Sequence, residues 1–388
     1  MEGVGGMERS KLDLPPERLP SDTIQLVFLV IVLILGVPSN LLVLKRLLIL
    51  HKTSRRSSSK ATFLLLKLHL TLSDLMLLFF YAAPQLAWNI TYEWKGGDFL
   101  CRFYNYISLA SFYLSSNITV CIAIDRLRTV LGALQLRKGP RKRRSVFHLL
   151  IPAWILAFFF ASPQLVVFQT ANVLANKPET NRTWMQCSDV WSRISIGPLD
   201  NFPEWFLTQQ AKLLYEVTHL LLVFWVPLLL LLLSYGTIAI RLRQVSSMDP
   251  QSHFSSMHGL LLDGKGRSLS MPDAGNHNGT PRMSKRFSLA PVVLRARLRS
   301  LSIASRGSDE LSTQGGSLWR KRIREKLFRS TLLIVISHFI FWLPYNASAL
   351  LSQASPEYQE MISLYAYFLN DLQIVITLVN PVLYAITE

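Results

Sequence analysis

The sequence predicts an all-α membrane protein, a seven-transmembrane helix bundle, and three observations predict it. Half of the 388 residues are hydrophobic, only 17% are charged, and the mean hydropathy is +0.28; a soluble domain carries about 25% charge. Seven apolar runs are each long enough to cross a hydrocarbon core of about 30 Å, which takes about 20 helical residues. About 31 of the 41 Lys and Arg residues lie in three gaps between the runs, the pattern that marks cytoplasmic loops. The formal charge of +17 therefore reports orientation. Nucleic-acid binding would need the basic residues on one soluble face.

Taken in order, residues 1–22 are polar and form an outer N-terminal segment. They contain no apolar run, so no cleavable signal peptide is expected, and the first helix acts as the insertion signal. Residues 23–388 make the transmembrane domain. Helix one spans about Thr23 to Leu48 and carries Asn40, a lone amide that needs partners inside the bundle. The first inner loop, Lys45–Lys60, is basic and without acids. Helix two, about Ala61 to Trp88, holds Asp74, its one carboxylate; an intramembrane acid marks a functional site by default. Pro84 is placed to kink its upper part. In the short outer loop after it, Trp94 reads as an interfacial anchor.

Helix three, about Phe99 to Val130, ends in Asp125-Arg126. A charge at the bilayer centre costs about 2.5–3.5 kcal/mol, so this pair belongs at a membrane boundary. Taken alone it is equally a bare interfacial ion pair. The second inner loop ends in the basic block Arg141–Arg144. Helix four, about Val146 to Val166, has Trp154 and Pro163. The long second outer loop, about Phe168 to Gln210, carries Cys187. Helix five, about Ala211 to Ile240, has Pro227 and Tyr235. Residues 244–318 form a Ser-, Arg- and Gly-rich third inner loop, disordered by composition. Helix six resumes near Trp319, and helix seven, about Ile362 to Ile386, contains Asn380-Pro-Val-Leu-Tyr384. Cys121 lies in an apolar run and reads as a buried thiol. Cys101 and Cys187 both fall in outer segments, where a disulfide is expected; closing a loop of that length is worth about 4–5 kcal/mol in the chain-entropy model.

Together Asn40, Asp74, Cys101, Asp125-Arg126, Trp154, Pro227 with Tyr235, Phe341-Trp342-Leu-Pro344 and Asn380-Pro-Val-Leu-Tyr384 resemble the landmarks of rhodopsin-like (class A) G-protein-coupled receptors. Trp88-Asn89-Ile-Thr-Tyr-Glu-Trp94-Lys-Gly-Gly-Asp98 and Tyr113-Leu-Ser-Ser116 further resemble receptors for gonadotropin-releasing hormone and the adipokinetic and corazonin-type peptides, with vasopressin-like receptors next. The chain stops at Glu388, just past the helix-seven motif, which is similar to tail-less vertebrate members and equally what an incomplete gene model would give. The resemblance implies a plasma-membrane receptor with its N-terminus outside and C-terminus in the cytosol. It would bind a secreted peptide in the outer half and activate a heterotrimeric G protein, Gq class by analogy. Ligand-site residues would be Gln85, Trp88, Asn89, Ser108, Trp342 and Tyr345. Activation would run through Asp125, Arg126, Ser116, Tyr235, His338, Asn380 and Tyr384. Asp74, Ser115 and Asn380 would hold an allosteric sodium ion, or else form a structural hydrogen-bond network; no other cofactor is implied. Gln85 stands where that family often has an acid, and Ser108 where a base is common; Ser108 also argues against an aminergic ligand.

Several readings stay open. His338 either hydrogen-bonds Ser116 and tunes activation or is a satisfied core histidine. Arg324, with Glu325 beside it, stands where an acid would latch Arg126. Among the glycosylation sequons, Asn181 is an acceptor, while Asn89 either carries a glycan or faces the peptide. Asn117 and Asn346 lie within helices and Asn278 is cytosolic. Ser270 and Ser302 sit in Arg-x-x-Ser contexts that, phosphorylated, would offer an anion to 14-3-3 or arrestin-type partners. No Ser-His-Asp order, metal-ligand spacing or Gly-rich phosphate loop points to an enzyme. A small-molecule or orphan chemoreceptor of the same fold, and a transporter, are the competing classes; a transporter would show broken helices in paired halves.

Overall fold

The computed structural model describes residues 18–53, 59–134, 146–175, 183–194, 196, 199, 201–246, 332–333, 335–351, 369 and 371–387. Contacts divide the chain into a unit of Met1–Ala239 with Phe328–Glu388 and a second unit, Ile240–Leu327; the described part of the second is the helical stretch 240–246. Among the described residues, five helices are long and apolar enough to span: α1 (Pro20–Thr53), α2 (Ala61–Thr91), α3 (Gly97–Leu131), α4 (Phe147–Val167) and α5 (Gln209–Arg241). Two shorter apolar helices follow, α6 (Val335–Leu351) and α7 (Leu372–Tyr384). All seven coincide with predicted runs. The predicted starts of helices six and seven, and the third inner loop, lie outside the described residues.

Burial ranks the helices. In the apolar window of α3, 78% is buried, against 22% for α1, so α3 is the central post. Its neighbours show apolar side chains outward, such as Ile34, Leu42 and Ile155. In a bilayer that exposure carries no penalty, because lipid tails are as apolar as leucine.

Three carbonyls help to explain how these helices dock. A proline has no N–H, so the carbonyl four residues before it loses its helical partner. No water reaches it in hydrocarbon, so another group must. Pro84 orphans the Phe80 carbonyl, and Ser108 on α3 donates to it at 2.8 Å. Pro227 orphans that of Val223, and Ser116 on α3 donates at 2.8 Å. Pro381 orphans that of Thr377, and Asn40 on α1 donates at 2.8 Å. The carbonyl four residues before Pro163, that of Phe159, stays satisfied within its own helix, accepting from the Ser162 amide at 3.2 Å and the Ser162 hydroxyl at 2.8 Å. Beside the first two prolines the helix widens into a π turn, Leu78–Ala82 in α2 and Leu221–Trp225 in α5. The kink expected at Pro84 thus takes the form of a wide turn bonded across to α3.

The second outer loop contains a two-stranded hairpin. Strand β1 (Phe168–Asn172) pairs antiparallel with β2 (Met185–Asp189), Thr170 opposite Cys187. Cys187 is disulfide-bonded to Cys101 at the top of α3, with Cα atoms 5.6 Å apart. The Trp94 amide donates to the Met185 carbonyl at 2.8 Å, fastening the first outer loop to the hairpin edge. Trp94 corrects the anchor reading. Its ring is buried with Cys101, Tyr104 and Cys187, and its indole N–H donates to the Gly97 carbonyl at 2.9 Å. Gly97 takes a φ of +69°, a left-handed turn that suits glycine, and this starts α3 directly beneath the tryptophan.

Removing Ser116 should expose the role of the proline carbonyls. Ser116→Ala is expected to cost about 0.5–2 kcal/mol, and the same change in a Pro227→Ala background less than about half of that, because the Val223 carbonyl regains its own N–H. A double-mutant cycle of thermal unfolding in detergent measures the difference; equal costs in both backgrounds would refute the assignment.

Candidate functional site

In the outer half, side chains from six helices form one continuous polar and aromatic layer. It begins on α1 and at the start of α7, where buried Asp371 accepts from Gln25 at 2.7 Å and from the Tyr81 hydroxyl of α2. The Tyr81 ring meets Phe112 of α3 edge-on at 5.0 Å. Phe112 meets Trp342 of α6 at 5.5 Å, and Trp342 lies 6.2 Å from Tyr345. His219 of α5 then bridges two tyrosines, with Nε2 2.9 Å from the Tyr345 hydroxyl and Nδ1 3.2 Å from that of Tyr113. A neutral imidazole donates once and accepts once, so one tyrosine gives a proton to the ring and the other receives one. Reorienting either phenol therefore disturbs the other.

Above this layer sit more of the predicted ligand residues. Gln85 accepts from Tyr104 at 2.7 Å. The Trp88 indole donates to Gln186 of β2 at 3.0 Å, and Trp88 packs against Trp94 at 5.1 Å. In the loop between α2 and α3, Lys95 beside Glu93 and the Met185 amide hold the Glu93 carboxyl below its usual range. Ser108 departs from expectation. It is buried, and its hydroxyl goes to the Phe80 carbonyl, so it braces α2 instead of offering a donor to a ligand.

In the middle of the bundle, Asn380 donates to both carboxylate oxygens of Asp74, at 3.1 and 2.9 Å. Asn40 reaches α7 through the Thr377 carbonyl. Ser115 Oγ and Asn380 Oδ1 are buried with no hydrogen-bond partner among the described residues. A carboxylate with two orphaned oxygens is a donor set suited to a hard cation, so the residues fit the sodium implied by resemblance.

The expected bond from His338 to Ser116 is not made. Ser116 is committed to the Val223 carbonyl left by Pro227. His338 is fully buried, stacked 6.1 Å from Phe224 and 5.7 Å from Trp342, and neither ring nitrogen has a hydrogen-bond partner among the described residues. The alternative of a satisfied core histidine is therefore not met there either.

At the inner end, Arg126 lies 3.9 Å from Asp125, and its guanidinium sits 3.6 Å over the Phe63 ring of α2. Lys67, one turn along α2 and also buried, is 4.7 Å from the same ring and 4.9 Å from that of Tyr384. Tyr235 on α5 is also buried. Two cations thus share one aromatic face system, each such contact being worth about 0.5–2 kcal/mol. Arg324, Glu325, Asn181, Asn278, Ser270, Ser302 and the basic block Arg141–Arg144 lie outside the described residues.

Sequence reasoning missed Asp371, Lys67, Phe63 and His219. Asp371 and Lys67 carry the signal that singled out Asp74, a lone charge in an apolar run. Phe63 and His219 carry none until their neighbours are known.

This arrangement defines a helical membrane receptor. A family model described as "7 transmembrane receptor (rhodopsin family)" matches residues 39–384, and the chain belongs to that family, whose members are receptors and not enzymes. G-protein coupled receptor daf-38 of Caenorhabditis elegans is 29% identical over 96% of this chain and 90% of its own length. The gonadotropin-releasing hormone receptor of Octopus vulgaris is 29% identical over 48% of this chain and 41% of its own length. That of Sus scrofa is 30% identical over 47% and 51%. The chain thus spans about half the length of those hormone receptors and nearly all of the nematode one.

The structure bears on the Asn89 sequon. Its amide nitrogen, the atom a glycan would occupy, is buried with no hydrogen-bond partner among the described residues. Asn89→Gln is expected to leave the glycosidase-sensitive mass of the expressed receptor unchanged; a gel shift matching one lost glycan would show the reverse.

Proposed function

We propose that the chain is a plasma-membrane receptor for a secreted peptide of the gonadotropin-releasing-hormone-like group, coupled to a heterotrimeric G protein, Gq class by resemblance. The observation that carries this reading is the layer from Asp371 to Tyr113, lying under a disulfide-tied hairpin and touching Trp342. Peptide receptors among the relatives support the ligand class. The N-terminus is outside and the C-terminus in the cytosol. A peptide resting on this layer meets the Trp342–Tyr345–His219 contacts first. It favours whichever arrangement it contacts better, and only that difference in affinity drives the change. Outward movement of α6 would then expose Arg126, Tyr235 and Tyr384 to the G protein. A sodium ion at Asp74, Ser115 and Asn380 would stabilise the off state. Phosphorylated Ser270 and Ser302 would recruit 14-3-3 or arrestin-type proteins.

Calcium responses of transfected cells to a panel of amidated neuropeptides test the reading. At least one peptide should activate, with Trp342→Ala lowering its potency more than about tenfold, the equivalent of about 1.4 kcal/mol. Activation by small molecules alone would overturn it. Independently of ligand, Phe63→Ala is expected to raise basal signalling about 2- to 30-fold, the equivalent of one lost cation–π contact; unchanged basal activity at equal surface expression would remove Phe63 from the off-state restraint.

A further inference from the structure

A cavity of about 340 Å³ opens between α3, α4 and α5, adjoining the layer described above at Tyr113 and His219. Its walls are Leu109 and Tyr113 of α3, Phe159 and Phe160 of α4, and Leu214 and Leu222 of α5. Its mouth is on the lipid side, since Phe159 and Leu214 are 65% and 69% exposed on helices that span the membrane. Trp205, 70% exposed, and Ser162 stand at the outer rim.

Three features point to one kind of occupant. The α5 wall runs from Ala211 to Leu222, about 16 Å at 1.5 Å per residue, matching one leaflet's share of the hydrocarbon core, about 15 Å. The polar groups at the back face one another: Tyr113 bonds His219 at 3.2 Å, and Gln164 donates to Tyr215 at 2.6 Å. What they turn toward the cavity is mainly carbon. Finally, the mouth is continuous with the lipid-exposed surface, so an apolar chain enters sideways without crossing water.

We propose that this groove is a binding site for one acyl chain of an outer-leaflet phospholipid. The seated chain packs against Tyr113 and His219, the last two members of the layer that leads to Trp342. It therefore restrains the phenols whose reorientation couples α3, α5 and α6. The proposal rests on the family's membrane fold and is independent of the identity of the ligand.

The test uses the full chain in phosphatidylcholine nanodiscs containing a trace of phosphatidylcholine with a diazirine on its acyl chain. After irradiation, adducts should concentrate on residues 159–160 and 214–222. Leu222→Trp, which fills the deep end, should reduce them at least about fivefold, an overpacked groove having no room for the chain. Labelling of the Ile34–Leu42 face of α1 should stay unchanged, and Thr218→Val, which keeps shape, should label as wild type. If Leu222→Trp does not fold, Ala211→Trp closes the outer end and carries the same expectation. Equal labelling of the groove and the α1 face would mean ordinary annular lipid and would overturn the proposal. So would a photoreactive sterol that labels the groove and displaces the acyl probe.

Discussion

Three joints between helices follow from one constraint, that a backbone carbonyl in hydrocarbon calls for a donor. Prolines at positions 84, 227 and 381 each remove one. In each case the donor comes from a polar side chain on a different helix, Ser108, Ser116 or Asn40. The prolines that weaken three helices therefore also join them. Two of the three joints are made by α3, which accounts for its central place. These bonds specify pairing more sharply than apolar packing does, because lipid competes with a leucine for a leucine but offers nothing to a carbonyl.

Much of this was legible in the sequence, for identifiable reasons. Span number follows from run length. Asp74 and the bridging cysteines follow from what charge and thiols require of their surroundings, and Asn40 was marked as an amide in need of partners. The partners themselves were not legible. Recognising that Ser108 answers Pro84 requires knowing that α2 and α3 lie side by side at that height. For the same reason a bond from His338 to Ser116 stands as an open alternative in the sequence, whereas the Ser116 hydroxyl goes to the carbonyl freed by Pro227. Trp94 was misplaced because an indole at a membrane boundary and one sealed under a disulfide have the same local sequence. Asp371 could have been found by the lone-charge argument that found Asp74, whereas His219 becomes meaningful only once two tyrosines are seen on either side of it.

The outer and inner halves are held differently. Outside, hydrogen bonds through His219 and through Asp371 give a directional layer, in which moving one group strands another. Inside, Arg126 and Lys67 rest on aromatic faces, contacts that tolerate sliding. A receptor needs both properties: a stiff surface where a ligand is read, and a restraint below that yields without leaving a buried carbonyl bare. Trp342 touches Phe112, Tyr345 and His338, and it is the member of the outer layer that reaches down toward the softer half.

The two π turns have a bearing on how this chain is compared with others. Each wide turn inserts one residue, which rotates everything beyond it by about 100° relative to a regular helix. In α2 the turn at Leu78–Ala82 lies between Asp74 and Gln85, Trp88 and Asn89. Ungapped counting outward from Asp74 would assign those three side chains to the wrong side of the helix whenever the counterpart is regular. Against a counterpart with regular helices, position-by-position transfer of binding roles to this chain needs a one-residue gap at that turn, and a second at Leu221–Trp225 in α5.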